Sequence, residues 1–424
     1  MPPLDADLVG TLSAAGPSWL EERRRRALEA FQALPMPSPK EEVWRYIDLD
    51  FDLADFAPAS GEASALAPDA EIAAALGPAA ASAVIVDGIP RAVAAGDGLV
   101  LAPLADAVAD ERMRAAFGLA GPPEADRFRA AHAAFQPGAL VLRVPRNATP
   151  DRPVSIEVHA VEVGAVSFPH LTIVVEENAA ASVVVNFRSE EGPFLVVPHI
   201  EAVVDAAARL SVTVLQSWGP GTTAVAEARF VAGRDATVRF GEVGLGGKLA
   251  RLRLGVDLQG AGSSADIVGV YFGDREQVLD YRYFMTHSGP STTSDMFLKG
   301  AVEDEADSVF TGLIRIEESA QKTNAFQTNR NLVLSADAQA NSVPNLEILA
   351  NDVKCGHGST MGPLDEEQRY YLMSRGLDRL RADRLQVRGF FEEAILRLPA
   401  PAVAGPVRER INHKFVAAQQ EGRV

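Results

Sequence analysis

The chain has 424 residues, with 40 Lys and Arg against 57 Asp and Glu, a formal net charge of -17 and a single cysteine, Cys355. That balance opposes nucleic acid as the main partner, because phosphate binding needs clustered positive side chains. One thiol cannot form an intrachain disulfide, nor supply a cysteine-based zinc or iron–sulfur site by itself.

The N-terminus has no basic start followed by an apolar run, so no secretory signal is expected. No stretch approaches the ~20 apolar residues that span a bilayer. A lone thiol suits a reducing compartment, and a cytoplasmic protein that contacts no membrane is the expectation.

Ser18 and Glu21 have capping-box spacing, and Trp19, Leu20, Leu28 and Phe31 form an apolar stripe, which predicts a helix. The Arg23–Arg26 run on that helix reads as a solvated face. Pro35, Pro37 and Pro39 end it, and Ser38 with Pro39 and Glu41 predicts a second short helix carrying Trp44 and Tyr46. A mixed region follows, with strand-like pieces at Ala83–Val86 and Leu99–Leu101 and a helical piece at Asp106–Phe117. Residues 1–137 are therefore expected to form a mixed, mainly helical N-terminal domain.

From Leu140 the texture changes to short runs such as LVLRV, VSIEV, SVVVNF, LSVTVL and DIVGVYF. Period two and β-branched content predict strands. A weak repeat, Ala-x-apolar after a turn, recurs at Ala181, Ala208, Ala236 and Ala265, with steps of 27, 28 and 29 residues. A small residue at fixed phase is expected where the coils of a solenoid stack and their turns nest. A hairpin sandwich would instead call for Asn-Gly or Asp-Gly turns, which occur only before this region, at Asp87-Gly88 and Asp97-Gly98. The prediction is a mainly β protein, with a parallel β-helix over residues 138–362.

Residues 363–424 return to helix. Asp365–Arg375 is followed by Gly376 as a C′ residue, Asp378–Leu398 is stopped by Pro399 and Pro401, and Val407–Gln419 forms a third run. Such a helical unit is expected to cap the open edge of the solenoid.

The seven histidines form no H-x-H, H-x-x-x-H or H-E-x-x-H pair, so most of them read as structural. Gly247-Lys248 is no phosphate loop, because Glu242 and Leu249 stand where a glycine and a Ser or Thr are needed. No G-x-S-x-G elbow exists. The pair Cys355 and His357 is different. On an extended strand, residues two apart share a face, and a thiol beside an imidazole makes a metal-competent pair. Gly356 and Gly358 would leave the backbone approachable. The plain alternative is a buried cysteine beside a hydrogen-bonded histidine. Two ligands do not complete a metal site, so the rest would come from elsewhere in the chain or from a partner.

The segment around this pair resembles the SufB/SufD family of iron–sulfur cluster assembly scaffolds. The resemblance rests on Asn331-Leu-Val-Leu-Ser335, Pro344, Leu346-Glu347-Ile348, Asp352-Val353, Cys355, His357-Gly358 and Tyr371-Leu372-Met373-Ser374-Arg375-Gly376. His287-Ser-Gly-Pro290, Ser294, Lys299-Gly300, Gly312, Ala320-Gln321-Lys322-Thr323 and the Glu41–Leu49 stretch add to it. Gly358 after the motif histidine, in place of Glu-Ala, points to the SufD branch. So does the absence of cysteine from 140–354.

The resemblance implies a right-handed β-helix flanked by N- and C-terminal helical domains. It implies a non-catalytic scaffold that works with a SufB-like paralogue and a SufC-like ABC ATPase, a cluster being assembled at the SufB–SufD interface. His357, with Cys355 in a less certain role, would be the site shared with the partner chain. Tyr370, Tyr371, Leu372, Arg375, Phe390 and Phe391 of the C-terminal helical domain would meet the ATPase. No cofactor is expected to stay on the isolated chain, only a transient iron or iron–sulfur cluster in the complex. The isolated chain could be a homodimer. A purely structural adaptor without ligand chemistry and a β-helix carbohydrate-active enzyme are the competing readings.

Overall fold

The computed structural model describes residues 3–14, 16, 18–107 and 111–420, with side chains through 417. From Leu140 to Gly362 the chain winds through about 8 turns of a β-solenoid. Each full turn gives one strand to each of two sheets. The twelve-stranded sheet runs from Gln339–Ile348 through Asp307–Ile316, Val278–His287, Leu249–Leu258, Thr222–Ala232, His199–Val204 and His170–Val175 to Leu140–Val144. The ten-stranded sheet runs from Lys354–Gly362 through Asn324–Val333, Thr293–Val302, Ser264–Gly273, Thr237–Gly244, Arg209–Ser217 and Ala180–Ser189 to Val154–Ala160. These neighbours all pair in parallel, which rules out the hairpin sandwich.

The corners explain the repeat and correct its phase. Asn178, Ala207, Asp235, Gly262, Ser291 and Lys322 all have φ between 56° and 72° and stand at successive corners. The N–H of each donates to a carbonyl in the following coil: Asn178 to Ala206, Ala207 to Arg234, Asp235 to Ala261, Gly262 to Pro290, Ser291 to Gln321 and Lys322 to Asp352. The next residue in every coil is small and no more than 1% exposed: Ala179, Ala208, Ala236, Ser263, Thr292, Thr323. Ala208 and Ala236 belong to this ladder. Ala181 and Ala265 stand two positions later, in register with Leu210 and Val238.

Both faces of each sheet are covered over the middle coils, and for that reason the strands read as near-continuous apolar runs. Along Ser264–Gly273, Ala265, Ile267 and Tyr271 point into the solenoid, while Val268, Val270 and Phe272 meet the C-terminal helices. Those helices are Glu366–Ser374, Arg379–Arg397 and Ala404–Gln420. Asp365 caps the first by accepting from the N–H groups of Glu367 and Gln368, and Asp378 caps the second by accepting from Arg381. Gly376 takes the positive φ of a C′ residue. Val387, Phe391, Ala394, Ile395, Val407, Ile411 and Phe415 pack on the outer face of the ten-stranded sheet. The helices therefore cover the flank of the solenoid, not its open edge. Amphipathicity demanded an apolar surface, and the flank supplied a larger one than a strand edge could.

The N-terminal region packs on the outer face of the other sheet. Phe31, Trp44, Phe128 and Phe135 meet Val166, Phe168, Leu195, Val197 and Val225. Ala81–Val86 extends the ten-stranded sheet in parallel and returns as Ile89–Ala94 through a positive-φ turn at Asp87-Gly88. Val100–Pro103 pairs antiparallel with Leu140–Val144. The expected helical piece Asp106–Phe117 includes 108–110, which lie outside the described residues; Leu104–Ala107 and Glu111–Ala116 flank them.

Two local expectations fail here. Ser38 opens a turn closed by the Glu41 carboxylate, followed only by a single 3₁₀ turn, Glu42–Trp44. The Arg23–Arg26 run is not a solvated face throughout. Arg24 is 2% exposed and donates to the carbonyls of Leu12 and Gln136. The Arg23 guanidinium lies over the Phe117 ring. Arg25 and Arg26 pair with surface carboxylates as expected.

Candidate functional site

The C-terminal end of the solenoid is bare. Among the described residues, Lys354–Gly362 pairs only with Asn324–Val333, and Gln339–Ile348 only with Asp307–Ile316. Each leaves one ladder of backbone N–H and C=O groups without a strand partner, the arrangement that receives an added strand from another chain. Phe326, Ile348, Leu349 and Met361 are exposed around it, apolar surface that no local sequence pattern singles out.

Cys355 and His357 lie on this last strand, in register with Ala325 and Gln327. The stack under Cys355 runs back through Ser294 and Ala265, and the stack under His357 through Met296 and Ile267, so both residues face the solenoid interior at its mouth. Cys355 is half-buried against the core, and burial pushes its thiol above the ordinary range despite the Gly356 N–H. His357 is exposed and has no hydrogen-bond partner among the described residues, which removes the hydrogen-bonded alternative for it. No group of three His, Cys, Asp or Glu donors among the described residues includes the pair. A Cβ on Gly358 would meet open space, while one on Gly356 would strike the Phe326 ring at 2.9 Å, so only one of the two glycines leaves the backbone open.

The floor beneath the mouth is polar. Ser359 and Met361 stack on Asn329 and Asn331. Asn331 donates to Asn329 at 2.7 Å, Asn329 to the Tyr271 hydroxyl at 3.0 Å, and Tyr271 to Asn331 at 2.6 Å. The closed ring satisfies every member, so it fixes the packing of the last coils. His287 is likewise structural. It is buried between the Thr292 and Ser294 hydroxyls at 2.8 and 2.9 Å, and burial lowers its pKa to about 4.

The residues expected to meet an ATPase divide into two sets. Tyr370 and Tyr371 are 77% and 56% exposed, on a helix with no buried residue. Arg375 is exposed, with its guanidinium over the Tyr371 ring at 5.2 Å, and Leu372 is half-buried. Phe391 is fully buried against Phe272, so it anchors the helix to the solenoid and cannot face outward. Phe390 is half-buried with the Lys299 ammonium over its ring, and its carbonyl accepts from the same group at 2.7 Å. Its ring also lines a surface hollow with Tyr371, Leu372 and Leu385.

Comparison with known proteins bears directly on this site. The family described as SUF system FeS cluster assembly, SufBD core domain, matches residues 158–390, which include the last strand, the helix Glu366–Ser374 and the first part of Arg379–Arg397. An iron–sulfur cluster assembly SufBD family protein of Mycobacterium tuberculosis is 37% identical over 285 residues, covering 65% of this chain and 71% of its own. The iron–sulfur cluster assembly protein SufD of Bacillus subtilis is 32% identical over 283 residues, covering 65% and 64%. SufD of Escherichia coli is 28% identical over 389 residues, covering 90% and 89%. The match takes in most of the solenoid and its open mouth, more than half of the chain, and the chain belongs to the SufBD family of iron–sulfur cluster assembly proteins.

Proposed function

We propose that this chain is the SufD-type, non-catalytic subunit of an assembly complex, joined to a SufB-like paralogue at its open solenoid end. The observation that carries the reading is the unpaired last coil, which exposes His357 within an edge suited to strand addition. The partner would continue the sheets and supply the ligands that this chain lacks, and the nascent iron–sulfur cluster is the cargo held between them. His357 is the better ligand of the pair, because its nitrogens are unengaged while burial keeps the Cys355 thiol protonated. An ABC-type ATPase would dock on the outward side of Glu366–Ser374 through Tyr370 and Tyr371, which supports the flank as the route by which ATP turnover moves the mouth. No helix among the described residues is long and apolar enough to cross a membrane.

The test is His357→Ala, with Cys355→Ser beside it, in chain co-expressed with its two partners. An intact complex that assembles no cluster is the expected result for His357→Ala. Normal assembly by that variant would refute the role, and a silent double variant would leave the structural adaptor as the correct reading.

A further inference from the structure

Three histidines without any ligand spacing in sequence meet inside the fold. His132 comes from the helix Arg127–Phe135, and His170 and His199 are register partners on adjacent coils. They are 2%, 2% and 7% exposed, and one donor atom from each lies within 4.8 Å of the others. The cluster sits where the N-terminal helices cover the outer face of the twelve-stranded sheet. Phe117 stacks on His170 at 4.3 Å, and Phe168 stands edge-on to His132 at 6.0 Å.

The surrounding hydrogen bonds decide which nitrogens are free. His132 Nδ1 lies 2.8 Å from the Val197 carbonyl, which can only accept, so Nδ1 carries the proton and Nε2 a lone pair. His170 Nε2 faces the Glu201 carboxylate at 3.3 Å and the Thr172 hydroxyl at 3.1 Å. The Glu201 carboxylate also accepts from the N–H groups of Gly118 and Ala120. A proton on His170 Nε2 serves the carboxylate, and in the neutral ring Nδ1 then carries the lone pair. The two lone-pair nitrogens, His132 Nε2 and His170 Nδ1, are 2.9 Å apart. Two lone pairs at that distance need a positive centre between them, either a proton or a metal ion. His199 stacks on His132 at 3.5 Å, and neither of its ring nitrogens has a hydrogen-bond partner among the described residues.

We propose that His132, His170 and His199 bind one divalent transition-metal ion of the zinc or ferrous class, with Val197 and Glu201 orienting two of the rings. Neutral imidazoles whose far N–H groups are fixed by a carbonyl and a carboxylate form the usual outer shell of such a site. Metal–nitrogen bonds of about 2.0–2.1 Å in a tetrahedral site hold the nitrogens roughly 3.3 Å apart. The His132–His170 pair opens by a few tenths of an ångström, and the His132–His199 stack tilts so that both nitrogens converge. A fourth position is left open. The ion would bolt the N-terminal helices to the first coils. It lies five strand spacings, about 24 Å, from the coil that carries His357, and does not depend on the assembly reading.

The experiment uses the full chain carrying Cys355→Ser and His357→Ala, so that the mouth contributes no ligand. After chelation it is titrated with Co²⁺ alone, then with Zn²⁺. One Co²⁺ per chain, tetrahedral visible absorption without a thiolate band, displacement by Zn²⁺ and a Zn²⁺-raised unfolding temperature are expected. His199→Phe keeps the stacked ring and removes one ligand, so metal affinity should fall by about tenfold or more. Should that variant not fold, X-ray absorption on the zinc-loaded parent decides, and three imidazoles in the first shell are expected. Absence of stoichiometric binding, equal affinity in a folded His199→Phe chain, or a first shell without imidazole would overturn the site and leave a shared proton between His132 and His170.

Discussion

Replacing Glu242 by Gln isolates the electrostatic cost of one carboxyl inside the solenoid. Glu242 points inward from Thr237–Gly244, in the stack that continues through Gly269, Leu298 and Asn329 to Ser359 at the mouth. Burial pushes its pKa from 4.5 up to about 8, only partly offset by the Tyr283 hydroxyl that donates to it at 3.1 Å. The folded state thus holds a proton that the unfolded chain releases above pH 4.5. The native state binds more protons, so stability is full below that pH, falls as pH rises and stops falling near pH 8. Integrated from pH 5 to pH 8, the loss is about 3.5 kcal/mol. Gln keeps the volume and an acceptor for Tyr283 but does not titrate. Urea unfolding of both chains at the two pH values should show the variant gaining about 3.5 kcal/mol more over the parent at pH 8 than at pH 5. The same difference at both pH values would refute the reasoning, since a purely steric effect carries no pH dependence.

Asp280 is completely buried between the guanidinium groups of Arg251 and Arg282, which also donate to the carbonyls of Val43 and Arg45. Asp280→Asn leaves two buried cations without a counter-charge and should cost about 3–5 kcal/mol, with a shift in the fluorescence of Trp44, whose ring lies under Arg251. Tyr370→Ser with Tyr371→Ser should leave the unfolding midpoint within about 0.5 kcal/mol of the parent while abolishing co-purification of an ABC-type ATPase.

The solenoid was legible because its strands are short, β-branched and spaced by a nearly constant step. The phase of its corners was not, because Ser263, Thr292 and Thr323 occupy positions where a search for alanine finds nothing. Helix ends in the C-terminal region were legible through Asp365, Gly376 and Asp378, whose capping roles are local. Where those helices lie was not, since a periodic apolar stripe does not say which surface it will meet. The run Ile267–Phe272 held the missing hint, because a strand apolar on both faces needs a cover outside as well as a core inside. Burial of Arg24 depends on carbonyls of Leu12 and Gln136, one far along the chain, and no local pattern announces it. Cys355 and His357 stand out through spacing and resemblance together, whereas the adjacent Phe390 and Phe391 cannot both face outward from one helix, and only the fold shows that Phe391 is the buried one. His170 and His199 differ by 29 residues, one coil step, and reading the histidines against the repeat would have placed them side by side.

The nested corners give the solenoid a direction. Every coil up to Lys322 is clasped by N–H groups donating forward into its successor, and the coil ending at Gly362 has no successor to receive it. In such a one-dimensional stack an interior coil opens only by losing two neighbours, while a terminal coil loses one. Amide exchange should therefore start at 354–362 and slow coil by coil toward the middle. His357 rides on the segment that can lift away and settle again at the smallest cost to everything behind it.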